Sequence, residues 1–511
     1  MSTREVQDAE VQDAGRGVFM IAGAKIYFMV AGGFIVFSLP NVLDEATYGA
    51  YLIVAGVPSV VNNVMVTGTI NAVARFTAQT RAAARAIQAA GFRMHLFVGL
   101  PVAVAFAAIV APAMGWFLKD PSKIGPIAFA SFIVAGYAFY ATFVGTANGL
   151  RAFHKQAGLD VLFATLRAAG IVGMAALGFG VHGAIGGWVA AVAAILLVSA
   201  WWIGLPGRPE RRPVGPVVRY FFAIAVYLVL LNLLMFIDLF LLKRLTVDGF
   251  LAQGLSQQAA AAAADTQVGY YGAAQQFARL SYQAIIAATF VIFPLISRAT
   301  FDNERETTRR YIRATTRYSF MFASAFATVF VANPHAILDL PFRVEYADSG
   351  ARALIALALG NVAFAIVAIL GAILNGAGKT RHAAATAGIT VVAAGIGNLV
   401  VIPRFPPGPD ALFACAAVTA SAMVLGMLVG GALTHRTLGA FIPWLTVART
   451  IVAGAAAVAL GAVIPLSSPI GTIAEAAVVG LAFLATLVIT RELTGADVRA
   501  IRALGSAKTS A

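Results

Sequence analysis

Three basic side chains, Lys25, Arg167 and Arg279, lie inside long apolar stretches of the sequence. A charge at the centre of a membrane helix costs at least ~2.5–3.5 kcal/mol, so each should face protein or a water-filled cavity. Gln276 and Gln283 stand three residues before and four residues after Arg279, on the same helical face. We predict that this polar stripe contacts an anionic ligand; the alternative is an arginine bonded to neighbouring carbonyl groups. For Lys25 and Arg167, the alternative to a cavity is snorkelling to the cytoplasmic headgroups.

A second polar set follows steps of four residues along one apolar stretch and consists of Asn63, Thr67, Asn71 and Arg75. This spacing places four hydrogen-bonding side chains on one side of a helix. Such a line suits the path of a hydroxyl-rich sugar. It equally suits hydrogen bonds between neighbouring helices, and both interpretations stay open.

Three more charged residues stand near the ends of apolar stretches. Arg75 and Arg298 form either an electrostatic mouth for an anionic ligand at the cytoplasmic end or ordinary positive-inside anchors. Asp238 is followed within a few residues by Lys243 and Arg244. It forms either an ion pair between two parts of the chain or a site for a bound cation.

The sequence contains no recognisable catalytic constellation. The six His are scattered, there is one Cys, and neither an HExxH, a CxxC nor a Walker A pattern occurs. We therefore predict that the protein is not an enzyme and uses no cofactor and no metal.

Composition identifies the solvent of this chain as a lipid bilayer. Of the 511 residues, 60% are hydrophobic and 11% are charged, whereas soluble domains carry about 25% charge. Most Lys and Arg fall on the predicted cytoplasmic side, so the net charge of +14 reflects topology and not nucleic-acid binding.

We predict an all-α protein with both termini in the cytoplasm and about fourteen membrane spans, at 17–39, 50–73, 94–118, 126–149, 157–178, 184–204, 219–241, 267–296, 317–338, 351–375, 383–402, 411–434, 446–466 and 468–490.

Two motifs recur at nearly constant separation. Tyr48-Gly49-Ala50 and Tyr271-Gly272-Ala273 are 223 positions apart (271 − 48), and each is followed 27 positions later (75 − 48 and 298 − 271) by an arginine. Asn148-Gly149 and Asn375-Gly376 are 227 apart (375 − 148), and basic residues follow both. Six-helix copies have the same orientation and are related by an axis along the membrane normal. We predict an N-lobe at 1–214, a C-lobe at 215–440, and two further helices with a cytoplasmic tail at 441–511; the segment 249–266 is interpreted as a low-complexity insertion.

Several segments resemble the polysaccharide-type flippases of the MOP (multidrug/oligosaccharidyl-lipid/polysaccharide) exporter superfamily. The resemblance rests on the sequences Glu45-Ala-Thr-Tyr48-Gly49-Ala50-Tyr51, Val268-Gly-Tyr-Tyr271-Gly272-Ala273-Ala274 with Phe293-Pro294-Leu295-Ile296, and Leu374-Asn375-Gly376-Ala-Gly378-Lys379-Thr380 with Asn398 and Ile402-Pro403-Arg404-Phe405. It covers most of 17–435.

The resemblance implies a two-lobed, alternating-access exporter in the bacterial cytoplasmic (inner) membrane. Its substrate would be a polyprenyl-diphosphate-linked oligosaccharide for surface or exopolysaccharide synthesis. Its partners would be membrane lipids and the polymerase and glycosyltransferase machinery, with no nucleic acid. Two alternatives remain: a cation-coupled multidrug antiporter of the same superfamily, and a flippase for lipid II-type peptidoglycan precursors.

Overall fold

The computed structural model is helical throughout, and the residues that it describes, 3–207, 215–301, 304–464, 468–495 and 497, contain no strand. This confirms the predicted all-α class. The α-helices in these ranges are Thr3–Val42 (α1), Glu45–Gln79 (α2), Ala84–Met94 (α3), Leu100–Ala105 (α4), Ala111–Phe117 (α5), Ile124–Phe129 (α6), Ser131–Gly149 (α7), Phe153–Met174 (α8), Gly180–Ile203 (α9), Gly215–Leu234 (α10), Ile237–Ala252 (α11), Gln257–Phe301 (α12), Arg305–Ala332 (α13), Pro334–Asp339 (α14), Val344–Gly376 (α15), Thr380–Val401 (α16), Pro409–Leu438 (α17), Trp444–Gly461 (α18) and Pro469–Ile489 (α19).

The chain is a multi-pass membrane protein. Within the described ranges, ten helical stretches are long and apolar enough to cross a bilayer, and the pair α10–α11, bent by 47°, makes an eleventh. The predicted count of fourteen is therefore not confirmed. One stretch, Phe153–Ile203, has 51 residues and contains two predicted spans. At ~1.5 Å per residue it is roughly 77 Å long, more than twice the ~30 Å of hydrocarbon.

The break inside that long stretch is made by glycine. Gly178 has φ 86° and Gly180 has φ 55°, values that side-chain-bearing residues rarely adopt, so α8 and α9 separate there. Two other predicted spans, 267–296 and 317–338, lie largely in α12 and α13. Among the described residues these two helices are not apolar enough to count as candidate membrane spans. The helix α13 begins with several arginines and is polar on one face.

The Asn-Gly repeat forms the same turn twice. α7 ends at Gly149 and α15 ends at Gly376, 227 positions apart (376 − 149). After α7, the N–H of Ala152 donates to the carbonyl of Ala147 at 2.8 Å; after α15, the N–H of Lys379 donates to the carbonyl of Leu374 at 2.7 Å. Each of these hydrogen bonds runs from an N–H to the carbonyl five residues earlier and satisfies a carbonyl group that has no partner within the helix. The matching turns support the predicted internal duplication.

By its contacts the chain forms two compact units, Met1–Gly269 and Tyr270–Ala511. In the first unit, α8 packs on α1 and α9, and α2 packs on α7 and α10. Close approach depends on small residues: a Cβ on Gly49 of α2 would overlap the carbonyl oxygen of Asp265 in α12, and the facing pair Gly170 and Gly187 joins α8 to α9 in the same way. The first Tyr-Gly-Ala motif thus has a packing reason for its glycine.

The segment 249–266, interpreted as a low-complexity insertion, is mostly helical. The alanine run is the first part of α12, preceded by a turn at Gly254. Ala260 and Ala264 pack against Val247 of α11 and are fully buried. A run of alanines forms helix readily and lets the neighbouring helix approach closely, so low complexity here produces tight packing.

In the second unit, α15 packs along α17 and α13, and α18 and α19 pack against α13. The α13–α18–α19 contact is apolar and includes Met321, Ala453 and Phe483. The predicted boundaries of 1–214, 215–440 and 441–511 remain a prediction, since the two contact units divide the chain within α12.

Candidate functional site

Lys25 of α1 is half exposed and lies two residues after the start of the apolar span Gly23–Val42. Its Nζ lies 2.8 Å from Oδ2 of Asp160 on α8, and the exposed fractions of the two side chains are 46% and 7%. The acid is therefore buried while the ammonium remains open on one side. An ammonium in this setting keeps unfilled donor capacity, because it carries three N–H groups.

Arg167 lies two turns further along α8 and is partly buried. Its guanidinium carbon stands 4.8 Å from the ring centre of Phe28 and 5.9 Å from that of Trp188. Aromatic faces attract a guanidinium and hold it in place within an apolar setting. Because Asp160 and Arg167 both contact α1, they share one side of α8, as their spacing of seven residues predicts.

An open groove of about 480 Å³ runs between α1 and α8 next to this ion pair. Its lining is almost entirely apolar and includes several glycines and alanines. A hydrogen bond of 2.8 Å between the hydroxyls of Tyr27 and Thr165 provides a second connection between the same two helices. The first unit thus combines an accessible cation with an adjacent apolar surface.

The polar line on α2 is only partly used for helix packing. The amide of Asn63 donates to Oδ1 of Asn232 on α10 at 2.5 Å, which fits the helix-packing interpretation. Thr67 is half-buried, while Asn71 and Arg75 are exposed. Their predicted contact with a sugar path remains a prediction.

The polar stripe of α12 lies in the second unit. Arg279 is 8% exposed, and Gln276 and Gln283 are half-buried. Arg298 falls on α12, but its side chain lies outside the described ones. The predicted roles of these four residues stay predictions.

Asp238 occupies the first turn of α11, directly after the bend that separates this helix from α10. It is 1% exposed, and its carboxylate accepts a hydrogen bond of 2.8 Å from the N–H of Leu239. The two basic residues that follow it bind other acids: Lys243 binds Asp120 and Asp265, and Arg244 binds Asp248. Its predicted part in an interlobe pair or in coupling remains a prediction.

Sequence reasoning missed a buried quartet of alternating charges in the first unit, formed by Asp120, Lys123, Lys243 and Asp265. Lys243 lies 2.7 Å from Asp265 and 3.2 Å from Asp120, and Lys123 lies 2.8 Å from Asp265 and 3.1 Å from Asp120. All four side chains are at most 10% exposed. Burial by itself would raise the pKa of Asp120, but Lys243, the Ser122 hydroxyl and Lys123 outweigh it and hold that pKa at about 2.

A second cluster anchors the segment after α19 in the second unit. Arg317 of α13 donates to Glu492 at 2.7 Å and to Asp497 at 3.2 Å, and Arg449 of α18 donates to Glu492 at 3.1 Å. Burial would raise the pKa of Glu492, yet hydrogen bonds from Thr446 and the two arginines lower it. For both clusters, the sequence shows only that acidic and basic residues occur near the ends of predicted spans. It does not indicate which acid pairs with which base.

Residues 39–340, more than half of the chain, match a family model described as polysaccharide biosynthesis protein. No curated protein matches in sequence. Among solved structures, one described as lipid II flippase MurJ, inward closed conformation, is 12% identical with a TM-score of 0.68, and the match covers 91% of this chain and 99% of that chain. An outward-facing multidrug resistance MATE family transporter of the MOP superfamily is 16% identical, with a TM-score of 0.59 and coverage of 83% and 96%.

A MOP superfamily transporter from Pyrococcus furiosus is 15% identical, with a TM-score of 0.57 and the same coverage of 83% and 96%. At these identities the likeness shows the fold, and the fold is the one predicted. The family match and the fold agree with the resemblance found in the sequence. The chain therefore belongs to the polysaccharide biosynthesis protein family and has the fold of MOP superfamily transporters.

Proposed function

We propose that this protein is a flippase that moves a polyprenyl-diphosphate-linked oligosaccharide across the bacterial cytoplasmic membrane by alternating access. It acts with both termini in the cytoplasm, and neighbouring glycosyltransferases and a polymerase supply and consume the glycan. The protein itself performs no covalent chemistry and needs no cofactor. The glycan is destined for the cell surface.

The observation that carries this proposal is the half-exposed ammonium of Lys25 inside a membrane helix, 2.8 Å from Asp160. A diphosphate presents several anionic oxygens, and charge-assisted hydrogen bonds to an ammonium are strong in a poorly hydrated site. The substrate's phosphate binds the N–H groups of Lys25 that Asp160 does not occupy, so the buried carboxylate keeps its partner when substrate is bound. An unpaired charge at this depth would otherwise be costly.

The other predicted contacts complete the proposed path. In the first unit, Arg167 supplies positive potential near the same helix face, and Thr67 and Asn71 offer a hydroxyl and an amide to sugar hydroxyls. In the second unit, Arg279 with Gln276 and Gln283 forms a polar stripe of the same chemistry. Arg75 and Arg298 attract the diphosphate from the cytoplasm, and Asp238 takes part in coupling or in a structural ion pair.

The test is flipping of a fluorescent polyprenyl-diphosphate oligosaccharide in proteoliposomes. We expect Lys25→Gln combined with Arg279→Gln to lose most of the activity, and Lys25→Arg to retain more of it than Lys25→Gln. Lys379→Gln is the matched control, because Lys379 is an exposed lysine in the turn after α15. Full activity in the doubly neutralised protein, at equal reconstitution, would refute the proposed site.

One observation favours a second candidate, a cation-coupled multidrug antiporter. Such a protein needs an acid in its membrane helices, and Asp160 is an acid buried in α8. A strain that lacks the gene would then become sensitive to cationic drugs while its surface glycan stays intact. Loss of glycan without drug sensitivity supports the flippase, and lysis on depletion would point to a peptidoglycan precursor.

A further inference from the structure

We propose that the groove between α1 and α8 binds the first isoprene units of the substrate's polyprenyl chain, while Lys25 at its edge holds the adjoining phosphate. This inference rests on the proposed flippase function and assigns the lipid part of the substrate to a place in the first unit. The site would distinguish a prenyl diphosphate from ordinary membrane phospholipids.

The groove and the ion pair involve the same short segments of the two helices. Gly23 and Ala24 of α1 and Ala157, Gly158 and Val161 of α8 line the groove. Lys25 follows Ala24 in the sequence, and Asp160 precedes Val161, so the ion pair crosses from α1 to α8 beside the groove. An open apolar groove therefore lies next to an accessible positive charge.

The size of the groove suits a short length of isoprenoid. At ~30 Å³ for a carbon-sized group, a five-carbon isoprene unit takes roughly 150 Å³, so about 480 Å³ holds about three units. Glycine and alanine leave room for the methyl branches of the chain. A stretch of three units directly after the phosphate would fill the groove while Lys25 contacts the phosphate.

Charge complementarity, and not apolarity alone, selects the ligand. Inside a bilayer an apolar groove gains little by hydrophobic transfer, because the lipid tails around it are equally apolar. Lys25 supplies the missing preference, since a diphosphate offers its ammonium more anionic oxygens than the single phosphodiester of a membrane phospholipid. Asp160 is then a positioning residue that holds the ammonium at the groove edge.

The groove can be filled without disturbing the packing around it. A Cβ on Gly23 has no neighbouring side chain or packed backbone within 4 Å among the described residues, so Gly23→Leu should fold and project into the groove. Gly173 of α8 is equally open and lies outside the groove lining, so Gly173→Leu is the matched control. Both changes replace a helical glycine by a good helix former.

The probe is geranylgeranyl diphosphate with a diazirine on the isoprene nearest the phosphate, added to the full-length protein in nanodiscs. We expect labelled peptides from 20–24 and 157–165. Labelling should fall about fivefold in Gly23→Leu, which corresponds to a loss of ~1 kcal/mol in binding, and stay unchanged in Gly173→Leu. Equal labelling of the two variants would overturn the proposal, as would equal competition by phosphatidylglycerol. If Gly23→Leu does not fold, the positions of the labelled peptides in the wild type test the proposal. Label concentrated in 20–24 and 157–165 supports binding in the groove, and label spread evenly over all helices refutes it.

The inference and the proposed function fail in different ways. Wild-type protein that flips the lipid-linked sugar, with Gly23→Leu unchanged in both labelling and flipping, refutes only the groove. Wild-type protein that flips no lipid-linked sugar in proteoliposomes refutes the proposed function, whatever the labelling shows.

Discussion

Replacing Lys243 by methionine is the most direct test of the buried charge quartet. Lys243 is fully buried, and its ammonium contacts Asp265 at 2.7 Å, Asp120 at 3.2 Å and the carbonyl oxygen of Ala261 at 2.6 Å. Methionine keeps the length and the apolar stem but removes the charge, both ion pairs and the hydrogen bond to Ala261. The two carboxylates then share one remaining cation, Lys123.

The expected loss follows from these distances. With an effective dielectric constant of about 20, contacts of 2.7 and 3.2 Å give roughly 6 and 5 kcal/mol of attraction. Repulsion from Lys123, which contacts the same two carboxylates, and desolvation of the buried ammonium offset a large part of this attraction. Leaving a buried charge without its partner costs about 3–5 kcal/mol in measured cases, and we expect a loss of this size for Lys243→Met.

The control is Lys119→Met, which removes a lysine from the same unit. Lys119 pairs with Asp248, but both side chains are more than one-third exposed. Water and ions screen such a pair, so its removal should cost ~1 kcal/mol or less. The difference between the two lysines isolates burial as the cause, because the residue type and the substitution are the same.

The assay is reversible denaturant unfolding in mixed micelles, followed by tryptophan fluorescence. A double variant, Lys243→Met with Asp265→Asn, restores the charge balance and should be more stable than the sum of the two single losses by about 1–3 kcal/mol. If Lys243→Met costs no more than Lys119→Met, or if the two quartet substitutions are additive, the quartet does not act as one electrostatic unit.

Three further changes test other parts of the structure. Gly49→Ala should destabilise the protein by about 1–3 kcal/mol, because the added Cβ would overlap a carbonyl oxygen. Gly173→Ala should stabilise the protein by roughly 0.5–1 kcal/mol, because the site is open and alanine favours the helix. The denaturant midpoints of unfolding of the two variants and the wild type test both predictions. Arg317→Gln should speed limited proteolysis of the segment after α19, because it loses charged hydrogen bonds worth about 1.5–3 kcal/mol each. The control Arg313→Gln changes an exposed arginine of the same helix and should leave the rate unchanged. Equal rates of cleavage in the two variants would show that Arg317 does not hold this segment in place. With its pKa lowered to about 2, Asp120 stabilises the fold at neutral pH, and this contribution disappears as pH falls from about 4 through 2, so Asp120→Asn should flatten acid unfolding in that window.

The sequence predicted the helices well because hydropathy and helix length are local properties. Nearly every predicted span coincides with helix, and the two Asn-Gly motifs mark equivalent helix ends at Gly149 and Gly376. The number of spans was harder to predict. The stretch Phe153–Ile203 counts as one by length and hydropathy although it contains two predicted spans, which separate near Gly178, and α12 and α13 are less apolar than the other predicted spans.

The partners of charged residues could not be predicted, because pairing depends on which helices meet. Sequence spacing placed Asp160 near Arg167 on one helix face, yet Asp160 binds Lys25, 135 positions away (160 − 25). Likewise, Lys243 follows Asp238 by five residues but binds Asp120 and Asp265 instead. Helices bring together residues from distant parts of the chain, and only the packed fold specifies those contacts.

The sequence by itself determined that this chain is an all-helical membrane protein with a duplicated motif and cations at membrane depth. Insertion into lipid requires long apolar segments. A charged residue within such a segment is energetically costly, so the few that occur can be recognised in the sequence as candidate functional residues. Tertiary structure alone decided that Lys25 stays half-exposed beside a groove while Lys243 is buried among acids. The two lysines have the same chemistry, and the neighbouring helices determine whether each can reach a ligand or only stabilise the fold.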